Sequence, residues 1–399
     1  MRFPGFTDEW KKTTLGEITT NFNLRNKEQI DYPMFSVTNN RGFIPQSEQF
    51  EDREMKGEDI KAYKVIHHND FAYNPARINV GSIAKYNGFE PCMISSLYVC
   101  FKANNEVDED WLMHLLRTSK VQYYYQLNGE GGVRVYLFYP NFARIRTSIP
   151  SIEEQKKIAK ILSIIDERIA TQNKIIEDLK KLKSAIIDKV FCLPSVKQPN
   201  KRLDGFNGDW EIVKLSEICE RMTERNSNLK CNLVLTIAAQ YGLVSQLDFF
   251  NKSVASENLS SYFVLKKGDF AYNKSYSGEY IWGAIKKLDY YEEGVLSPLY
   301  ICFRPNKNMI NPDFLAFYFE SKKWHRGISE IAGEGARNHG LLNISVIDFF
   351  NTIHRIPSLT EQIRITTVLQ TYQNKINNEE RLLLQYQTQR KFLLSTMFI

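Results

Sequence analysis

"IPSIEEQKKIAKIL" occupies residues 149–162, and "IPSLTEQIRITTVL" occupies residues 356–369, 207 residues further on. Seven of the fourteen positions are identical. Pro150 and Pro357 prevent a helix from extending backwards. Ser151 with Glu154, and Ser358 with Glu361, match the S-x-x-E capping box that starts a helix. Downstream, apolar positions step by four and three. The first copy reads Ile158, Leu162, Ile165, Ile169, Gln172, Ile176, Leu179, Lys183, Ile186, Val190. The second reads Ile365, Leu369, Tyr372, Ile376, Glu379, Leu383, Tyr386, Arg390, Leu393, Met397. This 3.5-residue spacing predicts two coiled-coil helices, each about 60 Å long at 1.5 Å per residue. Both carry a polar residue at the fifth place and a cation at the eighth. The simplest partner for each seam is the other, within one chain.

The rest of the chain repeats as well. "RFPGFTDEWKKTTLGEI" (2–18) returns as "RLDGFNGDWEIVKLSEI" (202–218). "DFAYN" at 70–74 returns at 269–273, "SSLYVCF" (95–101) as "SPLYICF" (297–303), and "GEG" at 129–131 returns at 333–335. Two long copies argue against a solenoid of many short units. They predict two similar globular domains, 1–150 and 202–356, each followed by a helix, 151–191 and 357–399. The polar, proline-containing stretch 192–201 reads as a linker. With antiparallel helices between the domains, the molecule has pseudo-two-fold symmetry.

Within the domains, short apolar runs broken by Gly, Asn, Asp and Pro read as strands. "DEDWLMHLLRTSKVQYYYQL" and "PDFLAFYFESKKWHRGI" read as helices. The expected class is α+β, with a mostly antiparallel or mixed sheet. Two loops repeat in position but not in letters: 75–86 against 274–287, and 132–141 against 336–345. A constant frame with changing loops suggests recognition. The candidate contacts are Asn74, Arg77, Asn79, Lys85 and Arg134 in the first half. In the second they are Asn273, Lys274, Tyr276, Arg337, Asn338 and His339. Arg and Lys suit guanine edges and phosphates, and Asn suits adenine.

Bulk properties narrow the alternatives. The net charge of +6 is a mild bias, and the 13% aromatic content suits β-rich domains or stacking surfaces. The start lacks the apolar core of a signal peptide, and no stretch of about 18 apolar residues could span a membrane. Six cysteines without a C-x-x-C pair suit reduced thiols and the cytoplasm. There is no P-loop, and the six histidines show no metal spacing. The chain is therefore expected to bind rather than to make bonds, and no metal site is expected.

The motifs "GFTDEW…LGEI" and "GFNGDW…LSEI", "GDFAYN", and "IPSIEEQ" and "IPSLTEQ" before long helices resemble the DNA-specificity (S) subunit of type I restriction–modification systems. The resemblance covers essentially the whole length. It implies a non-catalytic subunit with two target-recognition domains, each reading half of a split target in double-stranded DNA. It implies spacer helices that set the gap and dock two methyltransferase (M) subunits, with nuclease–translocase (R) subunits joining them. S-adenosylmethionine is then bound by the M subunit, and this chain binds no cofactor. Glu154, Gln155, Gln172, Lys183, Glu361, Gln362, Glu379 and Arg390 mark the subunit-interface helices in this reading. A coiled-coil scaffold or adaptor, and an orphan specificity subunit without a nuclease, stay as alternatives.

Overall fold

The computed structural model describes residues 2–49, 60–131, 136–238, 240–250, 258–275, 280–332 and 342–398. The chain forms two units: residues 1–173 with 381–399, and residues 174–380. Each long helix, Ile152–Val190 and Leu359–Met397, contributes a segment to both.

The first unit is built on a four-stranded antiparallel sheet. Its order is Thr19–Phe22, Val99–Ala103, Phe71–Tyr73, Ile83–Lys85. The second unit repeats this order with Cys219–Arg221, Ile301–Pro305, Phe270–Asn273 and Ala284–Lys287. Even the register recurs: Phe71 faces Phe101 and Phe270 faces Phe303. Each letter of "DFAYN" does the same task twice. Asp70 and Asp269 close the preceding turn by accepting from the backbone N of His67 and Lys266, both at 2.8 Å. Phe71 stacks on Phe101 at 5.0 Å, as Phe270 stacks on Phe303 at 5.3 Å. The alanine lies opposite Cys100 or Cys302, where no larger side chain is needed. Tyr73 stacks on Phe142 and Tyr272 on Phe349. All six cysteines are buried and free, and burial pushes the Cys100 and Cys302 thiols up to about 12.

The helical stretch expected over 108–127 is two helices, Glu109–Leu116 and Ser119–Leu127. Thr118 ends the first and caps the second, bonding the Leu115 carbonyl at 2.7 Å and accepting from Val121 N. The stretch 312–328 divides likewise into Pro312–Glu320 and His325–Ile331, with the Ser321 hydroxyl bonded to the Tyr318 carbonyl between them.

The seam spacing holds. In the first unit Ile158, Leu162, Ile165, Leu393 and Met397 are buried in one core. In the second, Val190, Ile365 and Leu369 are buried in the other, but Ile187 is buried there in place of the expected Ile186, which is only partly buried. The two helices run antiparallel in each unit. Asp166 accepts from Arg390 while Arg168 lies over the Tyr386 ring in the first. Lys180 pairs with Glu380 while Lys183 donates to Gln373 in the second. The stretch 192–201, expected as a linker, is tied to the second unit. Lys201 N donates to the Lys189 carbonyl, Trp210 N to the Lys197 carbonyl, and Arg355 to the Pro194 carbonyl.

Candidate nucleic-acid interface

The glutamate and glutamine of the repeated I-P-x-x-x-E-Q passage look inward. Ser151 and Ser358 do cap their helices, each accepting from the backbone N of the glutamate three residues on. The glutamates, however, do not return to the backbone as a full capping box would. Glu154 accepts from Nε and Nη2 of Arg2, at 2.9 and 2.7 Å, and Glu361 accepts from the same atoms of Arg202 at the same distances. Arg2 and Arg202 head the other repeated motif, so the two signatures are halves of one lock. Gln155 accepts from Asp108 N and donates to the Glu106 and Pro150 carbonyls. Gln362 does the same with Asn311 N, Met309 and Pro357. Each glutamine thereby fixes the helix that starts at Glu109 or Pro312 against the long helix.

These four side chains are at most 1% exposed, so the expectation that they offer a subunit interface gives way to an internal role. The cations of the seams are also engaged within the chain. Lys183 donates to Glu320 and Gln373, both at 2.7 Å, and lies over the Phe317 ring. Arg390 binds Asp166, which lies 4.0 Å from His114. Gln172 is buried, and Glu379 is paired with Lys375.

The recognition loops converge in each unit through one conserved backbone bond. Leu137 N donates to the Pro75 carbonyl at 3.0 Å, and Leu342 N donates to the Lys274 carbonyl at 2.9 Å. The loop after "DFAYN" and the segment after "GEG" therefore meet at one edge. Asn74 and Asn273 build that edge: each side-chain carbonyl accepts from the backbone N two residues on, at 3.0 Å. This is a turn-making use of residues expected to read bases. Lys85 is likewise not free for DNA. It pairs with Asp110 at 2.6 Å and is 11% exposed, and Lys287 repeats the tie with Asp313. The strand pairing of Phe71 with Lys85 and of Phe270 with Lys287 places the two lysines equivalently. Lys274 is half-buried and its ammonium approaches the Ile344 carbonyl at 3.5 Å.

Arg77 lies in the loop after the "DFAYN" strand. It is exposed, and among the described residues its guanidinium has no ion pair. Gly81 follows the short turn Ile78–Val80 with φ 98°, a left-handed conformation that suits glycine and lets the loop reverse. Asn79 sits half-buried in that turn. Arg134, Tyr276, Arg337, Asn338 and His339 lie outside the described residues. Sequence reasoning passed over Tyr136 and Phe138, whose rings stack at 6.2 Å and are 37% and 48% exposed. Their signal was available in the alternation of "VYLFY", with Leu137 fully buried between them.

A sequence profile described as the type I restriction modification DNA specificity domain matches residues 7–181. Several passages of that stretch, such as "DFAYN", recur in the second half of the chain. Over residues 7–181 the chain is similar to the specificity subunits of type I restriction–modification systems. Among curated relatives is a protein named as the MjaX specificity subunit of Methanocaldococcus jannaschii. It is 26% identical over 235 residues, which is 52% of this chain and 55% of the relative. The type I restriction enzyme MjaVIII specificity subunit of the same organism is 25% identical over 332 residues, covering 78% of this chain and 74% of that protein. The chain thus spans little more than half the length of the first of these specificity subunits. The fold agrees with the crystal structure of a type I restriction-modification S subunit from M. genitalium. That comparison has TM-score 0.58 and 15% identity, and covers 100% of this chain and 97% of that one.

Proposed function

We propose that this chain is a specificity subunit, that it binds double-stranded DNA and that each unit reads one half of a bipartite target. The observation that carries the reading is the repeated edge. One backbone bond joins two loops in each unit, on frames of the same register, while the loop letters differ. Arg77, exposed and without an ion pair among the described residues, supplies a cation at that edge in the first unit. The two uninterrupted helices of 39 residues set the gap between half-targets in this reading. Catalysis belongs to partners: two methyltransferase subunits that hold S-adenosylmethionine, and nuclease–translocase subunits that join them. With the seam residues engaged internally, docking falls to outward apolar side chains. These are Ile161, Ile164, Leu384 and Phe392 in the first unit, and Ile175, Leu182, Leu359 and Ile363 in the second. Two such sets support two copies of one partner. Among the described residues no helix is long and apolar enough to cross a membrane, and a cytoplasmic site of action is part of the proposal.

Methylation profiling tests this directly. In cells that carry the cognate methyltransferase subunit, adding this chain should create one methylated bipartite sequence. Identical profiles with and without the chain would overturn the reading.

A further inference from the structure

Tyr136 and Phe138 stand on a backbone whose own groups are hydrogen-bonded at each residue from 136 to 138. Glu130 and Tyr136 exchange two backbone hydrogen bonds at 2.8 Å. Leu137 N is bonded to the Pro75 carbonyl, and the Phe138 carbonyl accepts from Asn141 N and Phe142 N at 3.2 and 3.1 Å. The Glu130 carboxylate takes the Asn141 amide at 2.6 Å. Leu137 is fully buried, and alternation along extended backbone turns its two neighbours the other way. Their rings lie with planes 11° apart, partly in water. The pair keeps 37% and 48% of its surface in water on this bonded backbone. It is already ordered for a planar partner, which lowers the entropic cost of contact.

The setting selects that partner. The same backbone bond places the pair beside the loop that carries exposed Arg77, with Val80, 54% exposed, at the end of its turn. A cation next to outward aromatic rings suits a phosphate backbone with stacked bases. The second unit keeps the bond but not the rings: the chain reads Leu341, Leu342, Asn343 where the first unit has Tyr136, Leu137, Phe138.

We propose that Tyr136 and Phe138 form an aromatic wedge that enters one base step of the first half-target and partly unstacks it. The proposal rests on the DNA-binding reading above and adds a specificity device to it. Such wedges kink the duplex, and pyrimidine–purine steps yield most easily. The first half-target therefore contains a flexible step at a fixed place, and the second half-target lacks a counterpart.

The test uses the full chain with its methyltransferase partner and the duplex that this complex selects from a random library. 2-Aminopurine replaces one base at a time in both half-targets. The wild type should raise its fluorescence at one step, in one half only. Tyr136→Ala with Phe138→Ala should abolish that rise and weaken binding by about tenfold to a hundredfold, the range for losing one base–aromatic stack. Tyr136→Phe should keep both. A wild-type complex that binds its target without unstacking overturns the wedge and leaves the DNA reading intact. So does a double variant that keeps the rise, or one that loses only its methyltransferase partner. Failure of the wild type to bind any duplex overturns both.

Discussion

The first unit joins its two recognition loops at Pro75 and Leu137, the second at Lys274 and Leu342, with the same bond in each. Around that bond the chemistry diverges. The first edge carries Arg77 and two outward aromatic rings, whereas Asn343 is the exposed residue two places after the second unit's Leu341. The helix junctions diverge too. In the first unit Asp166 on the long helix takes Arg390, with His114 beside it. In the second, Gln373 replaces Asp166 and the acid moves to Glu320 on the short helix, where it takes Lys183. What stays constant is the set of buried contacts that align backbone: the glutamine lock, the Arg–Glu lock, and the Phe–Phe and Tyr–Phe stacks. What varies is whatever faces outward or can be satisfied by a second donor. A duplicated frame tolerates change only where a contact has an alternative.

That contrast can be broken at its shared part first. Gln155→Ala or Gln362→Ala leaves two carbonyls and one N–H without their partner in a buried site. Each should cost about 2–4 kcal/mol. Hydrogen exchange should show the loss in the unit that holds the substituted residue. Equal loss of protection in both units after either substitution would mean that the units do not carry separate locks.

Acid should weaken both units next, because each holds a buried histidine. His354 is fully enclosed, hydrogen-bonded to the Tyr318 and Thr352 hydroxyls, and burial pushes its pKa down to about 4. His114 is likewise pushed down to about 4, by burial, although Asp166 pulls the other way. A histidine held neutral by the fold binds its proton more readily when unfolded. Its stability contribution is complete above about pH 6.5 and is lost as pH falls toward 4, at up to about 1.4 kcal/mol per pH unit. Urea unfolding of wild type and His354→Gln between pH 7 and 4.5 checks this. The variant's stability should fall less steeply, and parallel curves would contradict it.

The junctions should give the smaller effects. Lys183 is only 9% exposed, so Glu320→Gln removes the charge facing a nearly buried ammonium and should cost about 1–2 kcal/mol. Asp166 and Arg390 are 34% and 25% exposed, and Asp166→Asn should cost at most about 1 kcal/mol. Thermal unfolding ranks the two, and the reverse order would show that the acid's place on helix or domain does not matter.

Much of this was legible in the sequence because it is local. The seam spacing gave both long helices, and the "DFAYN" repeat gave equivalent strands. Ser151 and Ser358 marked the helix starts. The role of Glu154 and Gln155 was not legible, because their partners Arg2, Glu106 and Asp108 lie far away in sequence or have no local spacing to reveal them. Lys85 looked like a free cation for the same reason: only the fold brings Asp110 to it. Thr118 within an unbroken apolar pattern hid the division of one helix into two, since its cap competes with helix continuation only once the following helix turns away.

The central claim is that the two units read separate halves of one target. Selection of bound sites from a random duplex library, by the full chain with its methyltransferase partner, tests it most directly when wild type and Arg77→Ala are compared. The account predicts a bipartite site for the wild type. For the variant it predicts relaxed preference in one half, weaker binding by about 1–3 kcal/mol if Arg77 reads a base, and an unchanged second half and spacer. Relaxation of both halves together, or a wild-type site with no division into halves, would contradict it.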